Sequence, residues 1–115
     1  MIGIDIISIS RIEKSIQKFG DKAKNRFMTQ HEQSWATKTS SIAGIWASKE
    51  AFSKAIGTGI GSEFSFLDIE IQKNKKGKPI IKILNPTIKQ KLKNKQIDIS
   101  ITHDGGFAIA AIIIL

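Results

Sequence analysis

Three separated segments hold the residues able to do chemistry. Asp5 interrupts the apolar run Met1-Ile2-Gly3-Ile4-Asp5-Ile6-Ile7. A carboxylate there is costly unless it is paired, hydrogen-bonded or bound to a cation. A solvent-facing position or a lysine partner is its ordinary explanation. The second segment runs from Trp46 to Gly59, WASKEAFSKAIGTG. Glu50 and Lys54 lie four residues apart, on one face of a helix. As a plain exposed ion pair they are worth a few tenths of a kcal/mol. Ala47 and Ala51 flank that face with almost no bulk, which leaves room for a ligand. Lys49 and Ser53 fall toward the apolar side, where a charge needs a partner. The glycines at 57, 59 and 61 give the backbone freedom for close contact with a phosphate. They follow the helix instead of preceding it, so this is no Walker loop, and Gly57 also reads as a simple C-cap.

The third segment is Asp98-Ile99-Ser100-Ile101-Thr102-His103-Asp104. Alternation puts its polar residues on one face and Ile99 and Ile101 on the other. His103 stands at the strand's end, where a surface or turn role is commonest; His31 has no evident partner. The segments together offer two carboxylates, two lysines, a histidine and several hydroxyls. That set suits a hard cation such as Mg²⁺, which takes a few carboxylates and keeps positions for phosphate and water. No His/Cys spacing fits zinc, and no Ser-His-Asp set is forced. By themselves the residues reach a magnesium–phosphate site and go no further.

The elements that must position them are legible in outline. Ile2 to Ile9 reads as a strand. Ser10 and Glu13 fit a capping box opening a helix to about Phe19, with Gly20 ending it. Thr29 and Glu32 form a second box, for a short helix to about Lys38. Thr39-Ser40-Ser41 introduces the longest helix, about 42–56, whose apolar positions Ile42, Ile45, Trp46, Phe52 and Ile56 repeat at helical spacing. Residues 66–73 and 79–84 read as a hairpin, 86–94 as a helix opened by Pro86, and 97–102 and 107–115 as two strands joined by His103-Asp104-Gly105-Gly106. The order β-α-α-α-β-β-α-β-β predicts one α+β domain over 1–115, with a mostly antiparallel sheet packed against helices.

Composition narrows the partners. The chain has 115 residues and no cysteine. That excludes disulfides and thiolate chemistry and fits a reducing cytoplasm. No signal peptide is visible, and the apolar run 107–115 is far below the roughly 20 residues of a membrane helix. Eighteen Lys+Arg against ten Asp+Glu give a net charge of +8, which attracts polyanions. Much of the excess sits at Lys73, Lys75, Lys76, Lys78, Lys89, Lys91, Lys93 and Lys95, where a solvated surface is the ordinary reading. A domain this small buries about two-thirds of its unfolded surface, so self-association would add useful burial.

At these residues the chain resembles the holo-acyl-carrier-protein synthases. Gly3-Ile4-Asp5-Ile6 with Arg11-Ile12, the run Ala47–Ala55 through Gly57-Thr58-Gly59-Ile60, Phe66–Ile71, Gly77-Lys78-Pro79 and Ser100-Ile101-Thr102-His103 follow that family's order. The resemblance implies a 4′-phosphopantetheinyl transferase fold. It also implies Mg²⁺-dependent transfer of 4′-phosphopantetheine from coenzyme A to a serine of an acidic acyl carrier protein, in support of fatty acid biosynthesis. Asp5 and Glu50 would then ligate Mg²⁺, and Lys54 would contact the phosphates and stabilise developing charge. Thr102 and His103 would lie at the ribose and 3′-phosphate side of coenzyme A, with Ser53, Gly57 and Pro79 also at its site. Arg11 would face the carrier's acidic helix. The family's homotrimer would build each site from two chains. Glu50, Asp5 or a water on the metal would take the serine proton, the water being favoured. One departure stands out: many members carry an arginine where this chain has Ile45, for which Lys38 or Lys49 would have to compensate.

Two other readings compete. A small RNA-binding protein fits the charge, but there is no tyrosine and only 7% aromatic residues, and no strand shows a stacking pattern. A non-catalytic carrier-binding subunit would keep Arg11 and have no need of Glu50. The enzyme reading carries no expectation of nucleic acid or membrane insertion.

Overall fold

The computed structural model describes residues 1–115. Strand β1 (Ile2–Ser8) leads into four helices, α1 (Ile9–Phe19), α2 (Asp21–Phe27), α3 (Gln30–Trp35) and α4 (Thr39–Ile56). A single 3₁₀ turn (Phe66–Asp68), the hairpin β2 (Ile69–Lys73) and β3 (Pro79–Ile83), helix α5 (Pro86–Lys91), and strands β4 (Ile97–Asp104) and β5 (Phe107–Ile114) complete the chain. This is the expected α+β architecture with antiparallel strands around one long helix. The strands divide into two sheets, β1-β5-β4 and β2-β3. In the larger sheet β1 pairs with β5 from Ile2↔Ile113 to Ser8↔Phe107, so the two ends of the sequence share one ladder.

Helix α4 packs across β1 and β5, and small residues set how closely. A Cβ on Gly3 would lie 1.8 Å from the Ala51 carbonyl oxygen and 2.7 Å from the Ala55 amide nitrogen. Ala47, Ala51, Ala108 and Ala110 are wholly buried. The expectation that Ala47 and Ala51 leave room for a ligand is therefore corrected: their lack of bulk admits the sheet. The inward residues of β1 are Gly3, Asp5 and Ile7, and this close approach presents Asp5 to the helix.

Lys49 is the expected charge on the apolar side, and its partner is Glu32. Both side chains are fully buried, with Lys49 Nζ 2.7 Å from Glu32 Oε1. The ammonium also donates to the Phe27 carbonyl at 2.6 Å. Glu32 accepts from the backbone N–H groups of Thr29 and Ile71 at 2.8 and 2.7 Å. Thr29 Oγ1 accepts in turn from the Glu32 N–H, completing the expected capping box. Burial pushes the Lys49 pKa below its ordinary value, and the Glu32 charge opposes that shift.

Several local expectations are corrected. Helix α1 begins at Ile9 after Ser8, with no side-chain cap; the Ser10–Glu13 box does not form, and Ser10 Oγ instead meets Ser8 Oγ at 2.9 Å. Helix α2 went unread because its apolar residues, Ala23 and Phe27, mark only a single turn. Helix α3 stops at Trp35 and α5 at Lys91, both short of expectation, and α4 takes Thr39-Ser40-Ser41 as its first turn. Residues 66–68 are not strand because Asp68 accepts from the Ser65 N–H at 2.8 Å and caps a turn. The final hairpin turns on Gly105-Gly106 alone, at φ +58° and +84°, a conformation glycine adopts without strain. His103 and Asp104 therefore belong to β4.

Two substitutions test this packing. Gly3→Ala forces the strand off the helix backbone and should cost about 1–3 kcal/mol, read as a fall in the urea midpoint. Lys49→Met strands the buried Glu32 charge and should cost about 3–5 kcal/mol in the same measurement. Wild-type midpoints for both would refute the account of the core.

Candidate active site

Asp5, Glu50 and Lys54 are brought together by the β1–α4 contact. Lys54 Nζ lies 2.9 Å from Asp5 Oδ1 and donates to the Ile4 carbonyl at 3.1 Å. The Asp5 side chain is 14% exposed and that of Lys54 53%. The lysine that spacing would pair with Glu50 thus bridges to the strand instead. Glu50 is half-buried on the same helix face. Burial raises its pKa above the ordinary carboxylate value, the Asp5 charge raises it further, and Lys54 opposes both. Two carboxylates therefore feel each other across the strand–helix seam, with one lysine as counter-charge.

A site of this composition is short of positive charge. No third His, Cys, Asp or Glu joins it, so a cation there would have two protein carboxylates and otherwise water or ligand oxygens. Zinc prefers a fuller nitrogen and sulfur set. Magnesium is commonly held by one or two carboxylates together with substrate phosphates, and the Asp5–Glu50 pair fits that pattern.

The other expected residues fall in different places. Ser53 is buried, and its hydroxyl donates to the Glu50 carbonyl at 2.6 Å, so it is tied to its own helix behind the acid. Gly57 ends α4 at φ +82°, its N–H bonded to the Ser53 and Lys54 carbonyls. It is exposed one turn beyond Lys54. Pro79 opens β3 opposite Lys73, in the separate two-stranded sheet. Thr102 and His103 are exposed on β4, which is separated from β1 by β5: Asp5 pairs with Ala110, and Ala110 with Ile101. Thr102 lies on the sheet face turned away from α4, alongside Ser100. Within one chain these residues do not join the carboxylates. Arg11 is exposed on α1 and borders a cavity between α1 and α2.

Ile45 is fully buried in the core, so this position presents no group to a ligand. Lys49, one of the two side chains that would have to compensate, is committed to Glu32; only Lys38 is exposed. Sequence reasoning missed the Ile4 carbonyl as a Lys54 acceptor and Glu32 as the partner of Lys49. The unpaired buried lysine was the signal for the second.

Comparison with known proteins identifies the family. Residues 1–112 match the 4′-phosphopantetheinyl transferase superfamily. The chain is 60% identical to the holo-[acyl-carrier-protein] synthase of Nautilia profundicola, covering 100% of this chain and 99% of that one. It is 53% identical to the synthase of Campylobacter fetus, covering 99% and 98%. The crystal structure of the Helicobacter pylori synthase in complex with coenzyme A is similar, with a TM-score of 0.91, 48% identity and full coverage of both chains. The Neisseria meningitidis synthase superposes with a TM-score of 0.88 at 31% identity, covering 99% of this chain and 96% of that one.

Proposed function

The chain belongs to the holo-acyl-carrier-protein synthases of the 4′-phosphopantetheinyl transferase superfamily, and from that membership we propose that Asp5, Glu50 and Lys54 carry its transfer reaction. The enzyme moves 4′-phosphopantetheine from coenzyme A to a serine of apo acyl carrier protein, leaving adenosine 3′,5′-bisphosphate. One observation carries the site assignment: a strand carboxylate, a helix carboxylate and a lysine converge at the β1–α4 seam.

The serine oxygen attacks the β-phosphorus of coenzyme A. A new phosphodiester bond forms, the bond to the bisphosphate breaks, and the serine proton passes to a water or to Glu50 or Asp5. Charge builds on the phosphoryl and leaving-group oxygens, so fixed positive charge lowers the barrier. Lys54 supplies it from a half-exposed side chain that would exchange Asp5 for a phosphate. Asp5 and Glu50 would hold Mg²⁺, which when bound neutralises oxygens flanking the reacting phosphorus. The Ser53 hydrogen bond and the Gly57 cap keep the end of α4 rigid beneath these groups.

Assembly as a homotrimer completes the site. The outer face of β1-β5-β4 exposes Ile2, Ile4, Ile6, Phe107 and Ile113, at 41–74% of their full accessibility. A contiguous apolar face of this kind is characteristic of an interface. Thr102 shares that outer face and His103 is exposed nearby, both removed from their own chain's carboxylates. Packing this face against a second subunit would bring Thr102 and His103 to a neighbour's Asp5, Glu50 and Lys54, with Pro79 and its hairpin flanking the nucleotide. Arg11 meets the acidic carrier. As family membership implies, the enzyme supports fatty acid biosynthesis in the cytoplasm; no helix is long and apolar enough to cross a membrane.

Incubation with apo carrier protein, coenzyme A and Mg²⁺ should add one phosphopantetheine to the carrier's intact mass. Lys54→Ala should lower the rate by about 100-fold or more, and EDTA or Asp5→Ala with Glu50→Ala should abolish transfer. Full activity in EDTA would sink the metal assignment. Sedimentation should give three chains per particle. Ile4→Lys with Ile6→Lys should yield folded monomers without activity; active monomers would show that one chain suffices.

A further inference from the structure

A cavity of about 650 Å³ opens between α1 and α2, within the range of small-molecule pockets. Its floor is aromatic. The Phe27 ring meets Trp46 edge-on at 5.2 Å, and Trp46 lies 4.6 Å from Phe66. Ile12 and Ile16 of α1 form one wall. Three exposed cations, Arg11, Lys22 and Arg26, stand around the mouth. None of them takes part in the chain's ion pairs, which are Lys49–Glu32, Lys54–Asp5 and Lys78–Asp98, and no Asp or Glu lines the cavity. The floor itself is held in place, because the Lys49 ammonium grips the Phe27 carbonyl.

An apolar floor favours a hydrocarbon chain, while three cations without counter-charge favour an anion at the entrance. A neutral apolar ligand would leave the mouth uncompensated, and a bare phosphate would leave the floor wet. We propose that this cavity binds a single-chain amphiphile with an anionic head, its chain over Phe27, Trp46 and Phe66 and its head among Arg11, Lys22 and Arg26. Such a ligand would also exclude the carrier protein from Arg11. That consequence rests on the carrier reading; the binding does not.

The chain has two tryptophans, and Trp35 lies elsewhere, bonded to the Ile71 carbonyl. In a Trp35→Phe protein, Trp46 therefore reports on the cavity alone. Dodecanoate, titrated below its micelle-forming concentration, should change Trp46 emission saturably. Lys22→Gln with Arg26→Gln should weaken it about tenfold, as a lost charge-assisted contact would, with unchanged far-UV circular dichroism. Ser15→Phe, which projects a ring into the cavity, should weaken it as well, and dodecan-1-ol should bind correspondingly less tightly than dodecanoate. Absence of a saturable response, equal affinity for the alcohol, or a response to acidic carrier protein with none to dodecanoate would overturn the proposal; the last would make the cavity a socket for a protein side chain.

Discussion

The buried pair Lys49–Glu32 is the constraint on which the rest of the molecule depends. It joins four elements at one buried point: the end of α2 through the Phe27 carbonyl, the start of α3 through Thr29, strand β2 through Ile71, and α4 through Lys49 itself. Apolar packing is tolerant of small slides, whereas a buried charge keeps its stability only in one geometry. The pair thereby fixes the rotation of α4 about its axis. Glu50 is the next residue, so the same rotation directs the acid toward the seam with β1. No buried side-chain polar atom in the chain lacks a hydrogen-bond partner, which is the condition under which a charge pair can sit in so small a core.

The second constraint is distance. Gly3 and the alanines of α4 and β5 let the sheet come within backbone contact of the helix. A larger residue at any of these places would hold Asp5 away from Lys54. The reactive groups are consequently carried on rigid elements, strand and helix, and their separation is set by residues that do no chemistry. The division matters for function: a site built for a polyphosphate needs its carboxylates close enough to share a cation, yet their mutual repulsion pushes them apart. Here the core supplies the force that holds them.

How much of this was legible depends on range. Periodicity located α4 and its end at Ile56, and the Thr29–Glu32 capping box is a local pattern that the structure reproduces. Lys49 was recognisable as a charge in need of a partner, but Glu32 is seventeen positions away across a loop and already had a local role as a cap. Nothing in a one-dimensional pattern says that one carboxylate serves both. Ala47 and Ala51 illustrate the same limit: small residues permit close approach, and only the fold decides whether a ligand or a strand arrives. Asp68 fits the alternation of a strand, yet its side chain found a nearer acceptor role at Ser65. For the site, the three chemical segments were each visible, whereas their grouping into a carboxylate–lysine cluster on one side and Thr102 and His103 on the other is a property of the β1-β5-β4 order.

That order also shapes how the molecule is made. Among the strands β1 pairs only with β5, and the ladder joins residues about a hundred positions apart. Long-range closures of this kind are slow, because the chain loses loop entropy before any pairing rewards it. During synthesis the isoleucine-rich β1 emerges long before β5 and waits for it, unpaired. Its inward residues can meanwhile dock on α4, where Gly3 already fits, but its backbone edge has no partner. The strand that supplies Asp5 is therefore a part of the newborn chain in need of shelter until β5 arrives to pair with it.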